Sequence, residues 1–440
     1  MREKMVSQKR ICWLGAGIIL LSICFAPSIS LSGVKRPPSK IIRLTYTHEG
    51  VARYPSIDEA GRLLLYIQEV KDKKDPLRVN RSLKILRIKD GGEKVLFTDG
   101  RFNAPHPYKG ALILGSKPPL LSGDGKKCAF TLTLPSPFPY PDHFLGIMDT
   151  DEGALKVIEL KIEALRSTNW KEMGFEGDSW ARVASYAISR DGNRIACLVK
   201  GDMGKGRFGY PSGIVLVETE NLTTKTLLAP QLKGGKWRWE GYPRNPLLGG
   251  EWIFDITPDG ELILFGAQTS PKEGDYDLYF IKHDGSGLKR LTYFHDPYFV
   301  LGHMDGSANQ LILFYAGKSL EGIGTYLLDL RTGGISYLRS RTGARLDYEG
   351  VSGDGRYIFY CANGRGMRYK VKGGEEEVIF SPQTPGYARS GLPMTFPPYP
   401  AYFAPKISSF SGEQVLIVGT PKGKGHTEIY LVTIGEEGGL

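Results

Sequence analysis

Cysteine and histidine are scarce in this chain, at five and seven residues in 440. The cysteines contain no Cys-x-x-Cys and the histidines no His-Glu-x-x-His, so spacing encodes no zinc site. No Gly-x-Ser-x-Gly elbow is present, and a serine-hydrolase domain therefore lacks its nucleophile turn. No phosphate-cradling loop opens a helix, because the glycines fall between apolar runs. A strongly one-signed body is missing as well. The net charge is +10, but residues 1–40 carry six of those charges and leave only +4 for residues 41–440. That small excess excludes the basic footprint of a dedicated nucleic-acid binder.

What is present is repetition. An apolar pair, a small turn and an alternating apolar run recur as SIDEAGRLLLYI from Ser56, LSGDGKKCAFTL from Leu121 and ISRDGNRIACLV from Ile188. They return as ITPDGELILFGA from Ile256, MDGSANQLILFYA from Met304, VSGDGRYIFYCA from Val351 and SFSGEQVLIVGT from Ser409. Asp-Gly between apolar runs marks a tight β-turn, since these residues tolerate positive φ cheaply. The alternation after each turn directs one side of the strand toward a core. A second hairpin comes after each unit, as in DLYFIKHDGSGLKRLT from Asp277. Each repeat thus supplies four antiparallel strands, A to D, and the expected fold is an all-β, seven-bladed β-propeller. Six or eight blades are alternatives, because the fifth and seventh signatures are degenerate. The 56 glycines and 28 prolines suit a fold of short strands and turns.

The last repeat stops after strand C, in HTEIYLVTIGEEGGL from His426. An orphan strand, KIIRLTYT, lies at Lys40 to Thr47, and its Arg43-Leu44-Thr45 echoes the strand-D text Arg290-Leu291-Thr292. The N-terminal strand is therefore expected to complete the seventh blade, removing an edge that would otherwise pair with other chains.

Ahead of it, a basic segment from Arg2 to Arg10 precedes the apolar stretch Ile11 to Phe25, with small residues suited to cleavage after Ser30. Residues 1–30 are read as a signal peptide or N-terminal membrane anchor, 31–40 as a linker and 41–440 as the propeller. Lipidation at Cys24 is a third option, and all three export the body. Cys128, Cys197 and Cys361 lie in strands of separate blades, too far apart to bridge, and are expected to act as small buried hydrophobes.

The opening RLT…YPSIDEAGRLLLY, the ITPDGELILF strand pair and the HDGSGLKRLT hairpin resemble the TolB-like family of WD-type repeats, over nearly all of residues 41–440. That resemblance implies an exported scaffold that binds proteins in the cell envelope; the expectation is a monomeric propeller without cofactor, periplasmic or extracellular, that binds a protein or glycan partner. The stretch YFVLGHMDGSANQLILFYAG from Tyr298 looks like the Gly-His segment of oligogalacturonate-lyase-like propellers. It implies an alternative: a metal-dependent lyase acting on acidic oligosaccharides, with His295 and His303 as metal candidates. The several His and the Gln such lyases gather are not evident here.

In an up-down-up-down blade the A–B and C–D turns emerge on one face and the B–C and D–A connections on the other. The short Asp-Gly turns are of the first kind and the long, aromatic-rich connections of the second, so the second face is the candidate binding surface. Phe208, Tyr210, Trp237, Trp239, Tyr242 and Arg244 are its candidate contact residues, being types enriched at binding hot spots. The turn residues Asp124, Asp191, Asp259 and Asp354 are expected to serve side-chain-to-backbone bonds rather than acid–base chemistry.

Overall fold

The computed structural model describes residues 37, 39–47, 50–75, 79–99, 112–113, 118–133, 144–160, 180–202, 212–233, 236–239, 252–268, 276–293, 300–304, 309–315, 324–340, 350–362, 364–387, 394–397, 406–421 and 426–435. The expected leader, residues 1–30, lies outside them. The described chain opens on β1 (Ser39–Arg43), one residue earlier than the sequence pattern suggests. Blade 1 comes next as β2 (Val51–Ile57), β3 (Leu63–Lys71), β4 (Val79–Arg87) and β5 (Glu93–Thr98). In blade 2, β6 (Leu112–Ile113) and β7 (Leu120–Leu121) share the innermost place, before β8 (Lys127–Thr133), β9 (Phe144–Asp149) and β10 (Leu155–Glu159).

Blade 3 is β11 (Trp180–Ile188), β12 (Arg194–Asp202), β13 (Ser212–Glu218) and β14 (Thr223–Leu228), after which β15 (Pro230–Lys233) and β16 (Lys236–Trp239) form a separate hairpin. Blade 4 is β17 (Trp252–Ile256), β18 (Leu262–Gln268), β19 (Tyr276–Lys282) and β20 (Lys289–Arg290). Blade 5 is β21 (Val300–Met304), β22 (Gln310–Tyr315), β23 (Gly324–Asp329) and β24 (Ile335–Ser340). Blade 6 is β25 (Gly350–Val351), β26 (Tyr357–Ala362), β27 (Arg365–Lys370) and β28 (Glu376–Phe380). Blade 7 holds β29 (Gln414–Gly419) and β30 (Glu428–Ile434), with Ser408 bridging Val415 where an innermost strand belongs. Every sheet is antiparallel and, apart from β1 beside β30, keeps its strands in chain order, so the fold is a seven-bladed propeller with no helix among the described residues.

The ring closes through the N-terminus. β1 pairs antiparallel with β30, from Ser39 opposite Ile434 to Arg43 opposite Tyr430. A buried carboxylate locks the join. Glu428, fully buried, accepts from Arg43 Nη2 at 2.7 Å, Thr45 Oγ1 at 2.5 Å, Thr47 N at 2.9 Å and Thr47 Oγ1 at 2.8 Å. Blade 4 repeats this chemistry, with fully buried Asp277 accepting from Arg290 and, at 2.9 Å, from Thr292 Oγ1. In both blades the arginine also donates Nε to the threonine carbonyl and lies over a nearby ring, Tyr46 or Tyr293. The echo between Arg43-Leu44-Thr45 and Arg290-Leu291-Thr292 is thus one local structure built twice. Gly386 adds a clamp: with φ at +86° it passes so close to β1 that a Cβ there would lie 2.1 Å from the Ile41 carbonyl oxygen.

The aspartates of the A–B turns have the structural role their position suggests. Asp124 accepts from Ser122 Oγ at 2.7 Å and Lys126 N at 3.0 Å, while Ser122 Oγ accepts from Lys127 N at 3.0 Å. The same arrangement recurs at Ser189 with Asp191, Thr257 with Asp259 and Ser352 with Asp354. The core lies between neighbouring blades, where Leu64, Phe130, Ile195, Phe265 and Phe359 are fully buried. Each such side chain contributes about 1.5–3 kcal/mol. Cys128 and Cys197 are buried there as free thiols, burial pushing Cys128 up to about 12. Cys361 is only partly buried, with Sγ 3.4 Å from Thr395 Oγ1.

Candidate functional site

The two faces of the ring are built differently. On the A–B side, backbone hydrogen bonds run from one blade's turn to the next. Asp354 N donates to Phe410 O at 3.0 Å, Phe410 N to Glu59 O at 2.8 Å and Glu59 N to Gly123 O at 2.9 Å. Asp124 N then donates to Arg190 O at 2.9 Å and Arg190 N to Pro258 O at 3.1 Å. These links tie blades 6, 7, 1, 2, 3 and 4 in order. They exist because the repeated turns share one geometry, which leaves one N–H and one C=O directed along the ring.

One side chain crosses this belt. Arg190, in blade 3, forms an ion pair with Glu59 of blade 1 and lies 4.7 Å over the ring of Phe410 in blade 7. Blades 3 and 7 are three places apart in a ring of seven, as far as two blades can be. Arg190 therefore links three blades on the A–B side of the ring. Gly123 gives it room, since a Cβ there would stand 2.5 Å from Glu59 Oε1 and 2.9 Å from Arg190 Cγ.

Two further charged groups belong to the innermost parts of blades 4 and 7. Asp255 is the penultimate residue of β17 in blade 4, and Lys406 lies just before the Ser408 bridge of blade 7. Asp255 accepts from Ile256 N at 2.9 Å and from Met304 N, in the next blade, at 3.3 Å. Both residues are enclosed by the ring yet keep partial exposure to water. Desolvation pushes Asp255 up to about 6, against its two backbone donors and the Lys406 charge. The same burial lowers Lys406 below an ordinary amine, with Asp255, Glu59 and Asp124 opposing the shift and Arg190 reinforcing it. Shifted groups in a cavity are where binding and proton chemistry concentrate.

Sequence reasoning missed this pair. A β-bulge explains part of the omission: Ile253 pairs with Phe265 and Asp255 with Leu264, leaving Phe254 without an opposite number. The bulge re-aims the residues after it, so simple alternation does not tell which face Asp255 occupies. β11 and β2 carry similar shifts, the latter where Pro55 has no N–H to give the ladder.

Of the residues singled out by sequence, Trp237 and Trp239 lie in β16, opposite Leu232 and Pro230 of β15. This hairpin belongs to the D–A connection between blades 3 and 4. Phe208, Tyr210, Tyr242, Arg244 and His295 lie outside the described residues. His303 sits in β21, the innermost strand of blade 5, opposite Ile312. The turns at Asp284–Gly287 and Gly373–Gly374 join strands C and D, as expected. Among the described residues no three His, Cys, Asp or Glu side chains converge as a metal site.

No family model matches the chain, and no curated protein matches it. Solved structures do. An oligogalacturonate lyase in complex with manganese superposes on 92% of this chain and 99% of its own, at TM-score 0.56 and 12% identity. The β-propeller domain of the trilobed protease from Pyrococcus furiosus, described as having an open velcro topology, covers 88% of this chain and 96% of its own at TM-score 0.53 and 12% identity. TolB from Acinetobacter baumannii covers 74% of this chain and 62% of its own at TM-score 0.39 and 16% identity, too low an overlap to carry an argument. At these identities the likeness establishes the propeller fold and no activity.

Proposed function

We propose that this chain is an exported, non-catalytic, TolB-like propeller that binds a protein partner in the cell envelope through its B–C/D–A face. Phe208, Tyr210, Trp237, Trp239, Tyr242 and Arg244 are the proposed contacts. The observation that carries the reading is the turn belt with Arg190 across it. The A–B turns of six blades are stitched together by hydrogen bonds and an ion pair, which supports leaving recognition to the connections of the other face. A rigid ring with variable connections on one side is how scaffolds present recognition loops. Export rests on the basic and apolar N-terminal pattern, and N-terminal sequencing of the mature protein tests it.

Crosslinking in the native host and subsequent purification identify the partner, and the double variant Trp237→Ala, Trp239→Ala then tests the face. Hot-spot aromatics predict a loss of at least ~2 kcal/mol, roughly thirtyfold in affinity, with little change in stability. Unchanged affinity would refute the assignment, and capture of a glycan instead would change the partner class. A second reading, a metal-dependent lyase on acidic oligosaccharides, draws on the position of Gly302-His303 in an innermost strand. Metal-dependent cleavage abolished by His303→Ala would move the assignment to catalysis.

A further inference from the structure

Two Asn-x-Ser/Thr triplets occur in the chain, Asn80-Arg81-Ser82 and Asn221-Leu222-Thr223, neither with proline at its centre. In an exported protein such a triplet is an acceptor for an N-linked glycan where its asparagine reaches the surface. The structure separates the two. Asn80 lies within β4 opposite Val70 of β3, and Ser82 lies opposite Gln68. Asn80 Nδ2 donates to Asp72 Oδ2 at 3.4 Å, and the Ser82 hydroxyl stands 3.2 Å from Thr98 Oγ1 on β5. With a strand paired on each side, this triplet can reach an enzyme only if blade 1 unzips.

Asn221 stands in the turn at residues 219–222, between β13 and β14, and residues 220–226 are all exposed. Its Oδ1 accepts from Thr223 N at 3.2 Å and from the Thr223 hydroxyl at 2.8 Å. The triplet is thereby closed into an Asx turn that engages the oxygen half of the amide. No described residue accepts from the nitrogen half. Leu222, between them, holds φ at +57°, a left-handed conformation that costs a leucine free energy, and it stays 37% exposed. Core packing therefore does not account for this turn.

We infer that Asn221 is a glycosylation site, its Nδ2 receiving an oligosaccharide from a polyprenyl-pyrophosphate carrier. A bond forms from Nδ2 to the anomeric carbon of the first sugar, and the bond from that carbon to the carrier's phosphate oxygen breaks. The Nδ2 proton passes to a base of the membrane transferase and the polyprenyl pyrophosphate leaves, with nothing oxidised or reduced. An amide nitrogen is a poor nucleophile, because its lone pair is shared with the carbonyl. The Thr223 hydroxyl draws charge toward Oδ1 and so eases loss of the Nδ2 proton. The turn joins strands C and D, on the face opposite the proposed contacts, so a glycan there leaves them uncovered. It also stands at the head of β14, the outer strand of blade 3, and shields that edge from strand addition. The inference rests on the export reading and not on the binding face.

Glycopeptide mass spectrometry of the full-length protein, fractionated and purified from its native host, tests the site. The expected result is a sugar mass on Asn221 and none on Asn80. Thr223→Ser should keep the modification, whereas Thr223→Ala, which deletes the hydroxyl, should lose it, as should Asn221→Gln. Melting curves matching the unsubstituted protein confirm that these exposed-turn variants fold. Bare Asn221 in protein recovered outside the cytoplasm would overturn the inference and leave the export reading standing. Bare Asn221 in protein confined to the cytoplasm would overturn both. Equal occupancy of Asn80 and Asn221, or full occupancy in Thr223→Ala, would show that the turn geometry does not select the acceptor and would also overturn the inference.

Discussion

Removing the Glu428 carboxylate, as Glu428→Ala, should detach the N-terminal strand. Four hydrogen bonds converge on that group, from Arg43, Thr45 and two atoms of Thr47. Breaking a buried ion pair from one side costs about 3–5 kcal/mol, because the remaining charge and donors are left uncompensated. Arg43 retains 21% exposure and recovers some hydration, which favours the lower end, about 3 kcal/mol. Spread over a cooperative unit of about 400 residues, that shifts Tm by only about 4 °C. The local effect is much larger. Hydrogen exchange at β1 amides should accelerate by about two orders of magnitude, since each 1.4 kcal/mol is tenfold.

Blade 4 provides the control. Asp277→Ala removes the same chemistry, but a hairpin tethers β20 to β19, so its edge should fray without separating. The exposed edge of β30 in the Glu428 variant should instead recruit other chains and aggregate. Unchanged β1 protection in Glu428→Ala, or equal aggregation of both variants, would refute the closure argument.

Asp255 makes the fold pH-sensitive in a defined direction. Its folded value of about 6 exceeds the ~3.9 of an unfolded aspartate. Its stabilising share is therefore complete below ~3.9 and is lost as pH rises through about 6. Asp255→Asn, whose amide can accept from only one of the two backbone N–H groups, should be more favourable above neutrality than in acid by roughly 1–3 kcal/mol, read from melting curves at both pH values; a difference of the opposite sign would sink the assignment. Arg190→Ala should cost no more than ~1 kcal/mol, because both partners of its ion pair keep substantial exposure. Equilibrium urea unfolding measures this, and a loss well above ~1 kcal/mol would show that the pair is more than a partly exposed bridge.

Several features were legible in the sequence because they are local. The Asp-Gly turns repeat, and each needs only residues within five positions to satisfy its donors, so blade identity and strand order could be read directly. The closing strand was legible through the echo of Arg43-Leu44-Thr45 in Arg290-Leu291-Thr292. The acidic partners left a signal too: Asp277-Leu-Tyr-Phe-Ile aligns with Glu428-Ile-Tyr-Leu-Val. It went unread because an acid opening a strand usually marks a solvated end. Which face carries the long connections also comes from strand order alone.

Only the tertiary structure brought Arg190 to Glu59 and Phe410. Arg190 and Glu59 are 131 residues apart, and no strand period or turn rule spans that distance. Their meeting depends on how many blades close the ring and on which residue of each innermost strand points to the axis. Bulges such as the one at Phe254 decide the latter by breaking the alternation that pattern reading relies on. Local turns are determined by short-range hydrogen bonds, whereas the charges on the axis are selected by closure of the whole ring.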